Sequence, residues 1–563
     1  MNDMMLTYAL VIGMALPFGL YMAKSLGDQR SYLDRFFSPI EGVIYRLAGV
    51  NPEVSMPWQA YATAVLKLHV LLILLAWLTF MFQGRLPLNP DGIAGMRWDT
   101  ALHTAISFAT NTNQQHYSGQ AELSHLSQTL AIVTLQFLTP ATGMAVLVAI
   151  ARTLLAKHRQ ESGLGVGNYY RDLTRSSVRI LLPLAAVVAL LLTWQGVPAN
   201  YQAAHEITPL DAQVEETQRI PLGPVSAMVA IKQLGTNGGG WYGPNSSVPL
   251  ENPTAISNVI ETAAIMLIPV ALLVAIAVMT GRHRLMVGIG GVMLAFSLVS
   301  TGLVVSSERM PNAAFAELSA PGGNMEGKEV RFGTDMSALW GSWTTQTSNG
   351  SVNAMHDSFN PLGGMVLIMD MLVNVTFGGV GVGLIGFLLY LMLAAFIGSL
   401  MVGRAPELFG HPLETREIRW ISLAILAQPL IILGLSALAV SLPGVHGTTN
   451  PTHHGLAQVI YEYTSAFANN GSGFEGLDDA TYWWNLTCAI ALLIGRFLPM
   501  LVPLAVASWL ATKRTAPAGR GTLALDSGAF MALTAGVIVI INLLGFLPAL
   551  VLGPVAEALV LAQ

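Results

Sequence analysis

Ten apolar runs, near residues 5–22, 62–82, 128–156, 177–195, 257–280, 285–305, 363–402, 419–441, 484–511 and 528–553, are each long enough to cross the hydrocarbon of a bilayer. Lipid offers no water to unpaired backbone groups, so a chain with this pattern crosses as helices whose main-chain bonds close within each segment. The expected fold class is therefore an all-α polytopic membrane protein. Composition agrees: 53% of residues are hydrophobic and only 10% charged. The first run has no small-residue cleavage site before Lys24 and reads as a retained helix, not a leader. Sorting Lys and Arg by alternate loops puts 18 of the 27 on the side of Lys24, Lys157, Arg159, Arg282, Arg284, Arg404 and Lys513, with Lys67 and Arg496 inside spans. The positive-inside rule makes that side cytoplasmic and the N-terminus external.

A polar motif recurs four times between a short pre-helix and a long apolar run: Thr112-Asn113-Gln114, Thr236-Asn237-Gly238, Ser348-Asn349-Gly350 and Asn469-Asn470-Gly471. Aligning Asn113, Asn237, Asn349 and Asn470 spaces the motifs by the length of two spans, a re-entrant segment and loops. The chain therefore reads as four helix–pore-loop–helix units around one pore, with two flanking helices. The segments are 1–60 (first helix and cytoplasmic loop), 61–160, 161–284, 285–410 and 411–515 (the repeats) and 516–563 (last helix). The expected pre-helices are Leu102–Thr110, Ala227–Leu234, Met336–Thr347 and Gln458–Ala468. Outer loops 198–224 and 309–335 read as vestibule caps.

Selecting a potassium-sized ion means replacing its water by a ring of oxygens, which main-chain carbonyls provide without a trapping charge. Gly238, Gly239, Gly240, Gly350 and Gly471 permit the positive φ that turns successive carbonyls inward, and Asn tolerates that region while its amide pins the loop from behind. Pre-helix C-termini pointing at the pore favour a cation. No hairpin carries an acid, and the first offers Gln114 where the others have Gly, which predicts an imperfect fourfold ring.

The seventh run, about 40 residues long, contains Gly378, Gly379, Gly381 and Gly383 and is too long for one straight span. It reads as a broken helix placing a gate or tunnel loop under the filter, the alternative being close packing through small residues. Arg496, well inside the ninth run, needs a partner or water; it reads either as a charge below the filter or as a structural pair. Lys67 snorkels to the cytoplasmic side. His116, His356 and Asp357 read as solvated vestibule, with no metal-binding spacing. The lone Cys488 permits no intramolecular disulfide and reads as a small buried hydrophobe. No basic stripe for nucleic acid, phosphate cradle or Asp-Lys-Thr-Gly sequence is present, so any ATP chemistry belongs to another polypeptide. Glu261 and Asp370 are the acids inside or near spans; they form no motif, which disfavours a membrane enzyme.

The strings Thr110-Asn-Thr-Asn113 with Gln115, Leu234-Gly-Thr-Asn-Gly-Gly-Gly240 with Asn245-Ser-Ser247 and Glu251-Asn-Pro-Thr254, and Asn324-Met-Glu-Gly-Lys-Glu329 closely resemble the A subunits of bacterial Kdp potassium-transporting P-type ATPases. So do Ala354-Met-His-Asp-Ser-Phe359, Val375-Thr-Phe-Gly-Gly-Val-Gly381, Gly403-Arg-Ala-Pro-Glu407 and Gly495-Arg-Phe497, which extend the match nearly end to end. The resemblance implies a fold of the Trk and Ktr superfamily and high-affinity K+ uptake across the bacterial inner membrane. This chain would be non-catalytic and would assemble with the B and C subunits, B being the P-type ATPase, and often with a short single-span subunit. By position, Asn111, Thr112, Asn113, Thr236, Asn237, Gly238, Ser348, Asn349, Gly350, Asn469, Asn470 and Gly471 would form the filter, supported by Gln115, Gly239 and Asn245. The competing reading is a passive or ion-coupled Trk/Ktr-type transporter.

Overall fold

The computed structural model describes residues 2–27, 33–156, 165–210, 217–312, 314, 322–450, 452–515 and 523–562. Lys157, His158 and Arg159, expected at a cytoplasmic end, lie outside them, as do parts of both vestibule-cap loops. Ten helices among the described residues are long and apolar enough to cross a membrane: Asp3–Leu26, Trp58–Arg85, Ser127–Leu155, Tyr169–Gln195, Ala255–Thr280, His283–Glu308, Val382–Met401, Thr415–Ser441, Tyr482–Thr512 and Gly528–Leu561. The chain is a multi-pass, mostly helical membrane protein. Its only strands among the described residues are two short antiparallel pairs, His205–Ile207 with Gln218–Ile220 and Glu407–Leu408 with His411–Pro412.

Four shorter helices repeat one arrangement, each packed between the two apolar helices of its own repeat. They are Trp98–Ala109, Val225–Leu234, Gly333–Gln346 and Thr452–Ala468, and their side chains are almost all buried. A helix enclosed all round has no polar face to spare, so its unsatisfied terminal carbonyls go to the segment that follows it. The flanking helices lie outside this core. Asn2–Leu26 runs along Ala255–Thr280 so closely that a methyl on Gly19 would come within 2.6 Å of the Ala271 oxygen, while Gly528–Leu550 packs on Val382–Met401.

The 40-residue seventh run is indeed broken. A short apolar helix, Pro361–Val373, is capped by Asn374 at φ 49°, and the spanning helix restarts at Val382. Between them Phe377, Gly378 and Gly381 have φ of 64°, 57° and 80°. This linker crosses the inner ends of the short helices: Gly378 N donates to Gln346 O at 3.0 Å, Val380 N to Thr236 Oγ1 at 3.0 Å, and Asn374 Nδ2 to Ala468 O at 3.2 Å. Gly381 abuts the carbonyl of Gly143, so the linker touches all four repeats. A methyl at Gly383 would fall on the carbonyl of Phe377. Gly383→Ala is therefore expected to destabilise the protein by about 2 kcal/mol through overpacking, read as a lowered melting temperature in detergent; an unchanged value would show that the linker yields freely.

Candidate functional site: a ring of four main-chain hairpins

At each short helix's C-terminus the chain makes the same turn. The first hairpin residues, Asn111, Thr236, Ser348 and Asn469, have φ of 66°, 50°, 50° and 53°; the third, Asn113, Gly238, Gly350 and Gly471, have 57°, 86°, 84° and 104°. The residue between them donates its amide to the carbonyl five positions back: Thr112 to Ser107 (3.0 Å), Asn237 to Lys232 (2.8 Å), Asn349 to Thr344 (3.0 Å) and Asn470 to Ser465 (2.9 Å). Left-handed residues on either side of an ordinary one turn neighbouring peptide planes so that their carbonyls face one side.

This bonding corrects the alignment expected for the first repeat. Thr112, not Asn113, is the equivalent of Asn237, Asn349 and Asn470. Asn113 takes the glycine position, and Gln114 falls one place beyond it. Asn is among the few side-chain-bearing residues that accept this backbone, which is how the first hairpin manages without glycine.

The hairpins close on one another. A methyl on Gly238 would fall on the oxygen of Asn349, one on Gly350 on that of Asn470, and one on Gly471 on that of Thr112. These three carbonyls thus sit where the next hairpin's Cβ would be, so glycine is required by space as well as by φ. Between the first and second hairpins, Asn111 Nδ2 donates to Thr236 O at 2.9 Å. Asparagine amides brace the ring from behind: Asn349 Nδ2 reaches Lys232 O (3.1 Å), Asn470 Nδ2 reaches Thr344 O (2.8 Å) and Asn469 Nδ2 reaches Thr112 Oγ1 (2.9 Å). The triglycine, lacking side chains, is tied from outside. Gly238 O accepts from Asn245 (2.7 Å), Gly239 O from Gln136 (3.2 Å), and Gly240 exchanges two bonds with Gln115 (3.0 and 2.8 Å). The buried amide of Asn113 makes no hydrogen bond among the described residues and is left for water or an ion.

On one side of the ring lies a cavity of about 780 Å³ lined by Gln115, His116, Glu122, Lys328, Glu475 and Asp479, among others. On the opposite side a cavity of about 70 Å³ is lined by Asn111, Ser348 and Asn469, by Gly379 and Gly383 of the linker, and by Arg496. It extends sideways between the helices Val382–Met401, Thr415–Ser441 and Tyr482–Thr512, past Tyr390, Ile425 and Pro499. Arg496 is buried and donates to Thr139 O at 2.9 Å, so a structural bond and a place below the ring coexist. Lys67 is exposed.

Two expectations about histidines fail. His116 and His356 are buried, not solvated, because the outer loops fold back over the short helices. His356 Nδ1 lies 2.9 Å from Tyr461 Oη, while Asp357 pairs with His454. His116 lies between Asn485 Oδ1 (2.8 Å) and Glu462 Oε1 (3.0 Å), with Asp479 at 3.9 Å. Burial opposes its charge, yet the attraction of Asp479 and the bond to Glu462 outweigh it and raise its pKa to about 9.

Sequence reasoning also passed over Glu462, which receives Gln114 Nε2, and Lys232, a fully buried ammonium paired with Glu251. A lone cation inside the otherwise apolar stretch Val225–Leu234 was the available signal. Glu261 joins Lys232's surroundings through Gln233 and Ser246, and Asp370 accepts from Ser300 at 2.6 Å.

Because the pKa of His116 is raised on folding, its contribution to stability is complete below the unfolded value near 6.5 and is lost as pH rises through about 9. Melting temperature is thus expected to fall between these pH values in the native protein and to fall less in His116→Gln. Parallel profiles for the two proteins would contradict the assignment.

The sequence model of the family described as potassium-transporting ATPase A subunit matches residues 5–559. The chain is similar to the potassium-transporting ATPase potassium-binding subunit of Gloeobacter violaceus, with 44% identity over 561 residues, covering 98% of this chain and 96% of the relative. To the protein of the same name from Pseudomonas aeruginosa it is 44% identical over 556 residues, covering 98% and 97%. Among solved structures it resembles the potassium transporter TrkH from Vibrio parahaemolyticus, with a TM-score of 0.52 at 14% identity, over 89% of this chain and 98% of that one. That likeness concerns the fold alone.

Proposed function

Because the chain belongs to the family of potassium-transporting ATPase A subunits, we propose that its ring of hairpins is the site where K+ is selected from the outer side. The carrying observation is the recurrence, in four nonidentical sequences, of one turn with a left-handed residue on either side of a central one, and with three glycines pressed on the next hairpin's carbonyl. Thr112, Asn237, Asn349 and Asn470 with their flanking residues Asn111, Asn113, Thr236, Gly238, Ser348, Gly350, Asn469 and Gly471 supply oxygens that replace the hydration shell. The C-terminal ends of the short helices add negative potential without a fixed charge. Gln115, Gly239 and Asn245 hold the second hairpin in shape.

From the ring, K+ enters the small cavity beneath. The linker with Gly378, Gly379, Gly381 and Gly383 obstructs the straight path inward, and Arg496 repels a cation that would settle there. The lateral extension of that cavity supports delivery sideways, toward a partner in the membrane. We assign that partner as the B subunit, the P-type ATPase that hydrolyses ATP, within a complex that also holds the C subunit, together with a small single-span subunit. The assembly sits in the bacterial inner membrane with this chain's N-terminus outside, a reading that the distribution of Lys and Arg supports. The six segments read from the sequence, two flanking helices with a cytoplasmic loop and four repeats, are our proposed division of the chain.

The test uses the purified complex. ATP hydrolysis should be stimulated by K+, and Gly350→Ala should raise the half-stimulating K+ concentration by about tenfold or more, since strained backbone costs roughly 1–3 kcal/mol. Unchanged affinity in an assembled Gly350→Ala complex would remove the ring from ion selection, and ATP-independent uptake by the chain alone would remove the pump.

A further inference from the structure

The four short helices differ at one equivalent position. Five residues before each hairpin's central residue stand Ser107, Lys232, Thr344 and Ser465. In three repeats this short hydroxyl ties down its own hairpin. Ser107 Oγ donates to Gln114 O at 2.9 Å, Thr344 Oγ1 donates to Asn349 Oδ1 at 3.1 Å, and Ser465 Oγ accepts from Gly471 N at 2.9 Å. The second repeat substitutes a lysine whose ammonium reaches past the hairpin, to Asn245 Oδ1 (2.5 Å), Ser246 Oγ (2.8 Å) and the Glu251 carboxylate.

An ammonium is only a donor, so Asn245 must present its oxygen to Lys232. Its NH2 then faces the other way, onto Gly238 O at 2.7 Å. Were the amide reversed, two oxygens would oppose each other at Gly238 while two donors met at Lys232. The network is anchored on both sides. Glu251 Oε1 accepts from Tyr242 N at 2.9 Å, and Glu261 accepts from Ser246 Oγ and Gln233 Nε2, each at 2.8 Å. Gln233 Oε1 in turn accepts from Ser351 Oγ of the third hairpin at 2.8 Å. Lys232 and Glu251 are fully buried, and such a pair rarely adds net stability over apolar residues of the same volume, so its use lies in fixing geometry.

We propose that Lys232 is a positioning residue for ion discrimination: through Asn245 it sets the direction and the field strength of the Gly238 carbonyl. This rests on the reading of the hairpins as the K+ site. A carbonyl that already accepts a hydrogen bond offers a weaker and more narrowly aimed dipole to an ion. Number and strength of such dipoles decide between K+ and ions of neighbouring size. The second repeat thereby becomes the quadrant in which discrimination is tuned, while the hydroxyl-tied three give the frame.

The experiment compares K+ and Rb+ as activators of ATP hydrolysis by the whole complex, as the ratio of their half-stimulating concentrations. Lys232→Met combined with Glu251→Gln removes both charges at nearly constant volume and keeps the acceptor for Tyr242 N. It should reduce the preference for K+ by about tenfold, the worth of one charge-assisted hydrogen bond, with the maximal rate within about twofold. Asn245→Leu should lower the preference for K+ by a similar factor, and the triple variant no more than either, because one pathway is involved. An assembled double variant with the native ratio, or additive effects in the triple, overturns the proposal. If the double variant does not assemble, Asn245→Leu decides alone, a native ratio again overturning it. Gly350→Ala is the control. If it alters K+ affinity while the Lys232 variants leave the ratio native, only this inference fails; if it too is without effect, the reading of the hairpins fails.

Discussion

Irregular backbone at membrane depth must have every N–H and C=O satisfied by protein, water or an ion, and the architecture of this chain follows from meeting that demand four times around one axis. Each short helix ends with carbonyls that no further turn of helix claims, and the hairpin's amides take them at the residue five back. The carbonyls of Thr112, Asn349 and Asn470 then lie against the neighbouring hairpin. Enclosing the short helices between two apolar helices apiece then excludes lipid from the site. The spans and flanking helices thus serve a few peptide planes that would not persist in hydrocarbon by themselves.

Pseudo-symmetry of the backbone is kept by unlike side chains. The first hairpin uses Asn113 where the others use glycine, and the second leans on Gln115, Gln136 and Asn245 because three consecutive glycines cannot brace themselves. The third and fourth use Asn349 and Asn470 both to hold the preceding repeat and to bind the amides of Ser351 and Ser472. A homotetramer would repeat one solution. A single polypeptide is free to give each quadrant its own stiffness.

Much of the site was legible in the chain, because positive φ restricts residue choice to Gly and Asn and such residues stand out among apolar runs. The twelve residues expected in the hairpins lie in the four turns, and the broken seventh run followed from its length and glycines. The register of the first hairpin was not, since Thr112-Asn113 and Asn237-Gly238 match equally well as letters, and only the bond from Thr112 N to Ser107 O distinguishes them. His116 and His356 resembled ordinary outer-loop histidines. Their burial depends on helices distant in sequence, Thr452–Ala468 and Tyr482–Thr512, which place Glu462, Tyr461 and Asn485 against them.

The amino-acid sequence by itself determined that this protein lives in a bilayer, crosses it as helices and carries four turns marked by Asn and Gly, because hydropathy and backbone preference are local properties. Tertiary structure alone decided which carbonyls meet, that Lys232 turns Asn245 toward Gly238, and that the linker before Val382 lies under the ring beside Arg496. Those outcomes arise from groups up to several hundred residues apart, as between Asn469 and Thr112. Their distances are set by helix packing, about which a local pattern of residues carries no information.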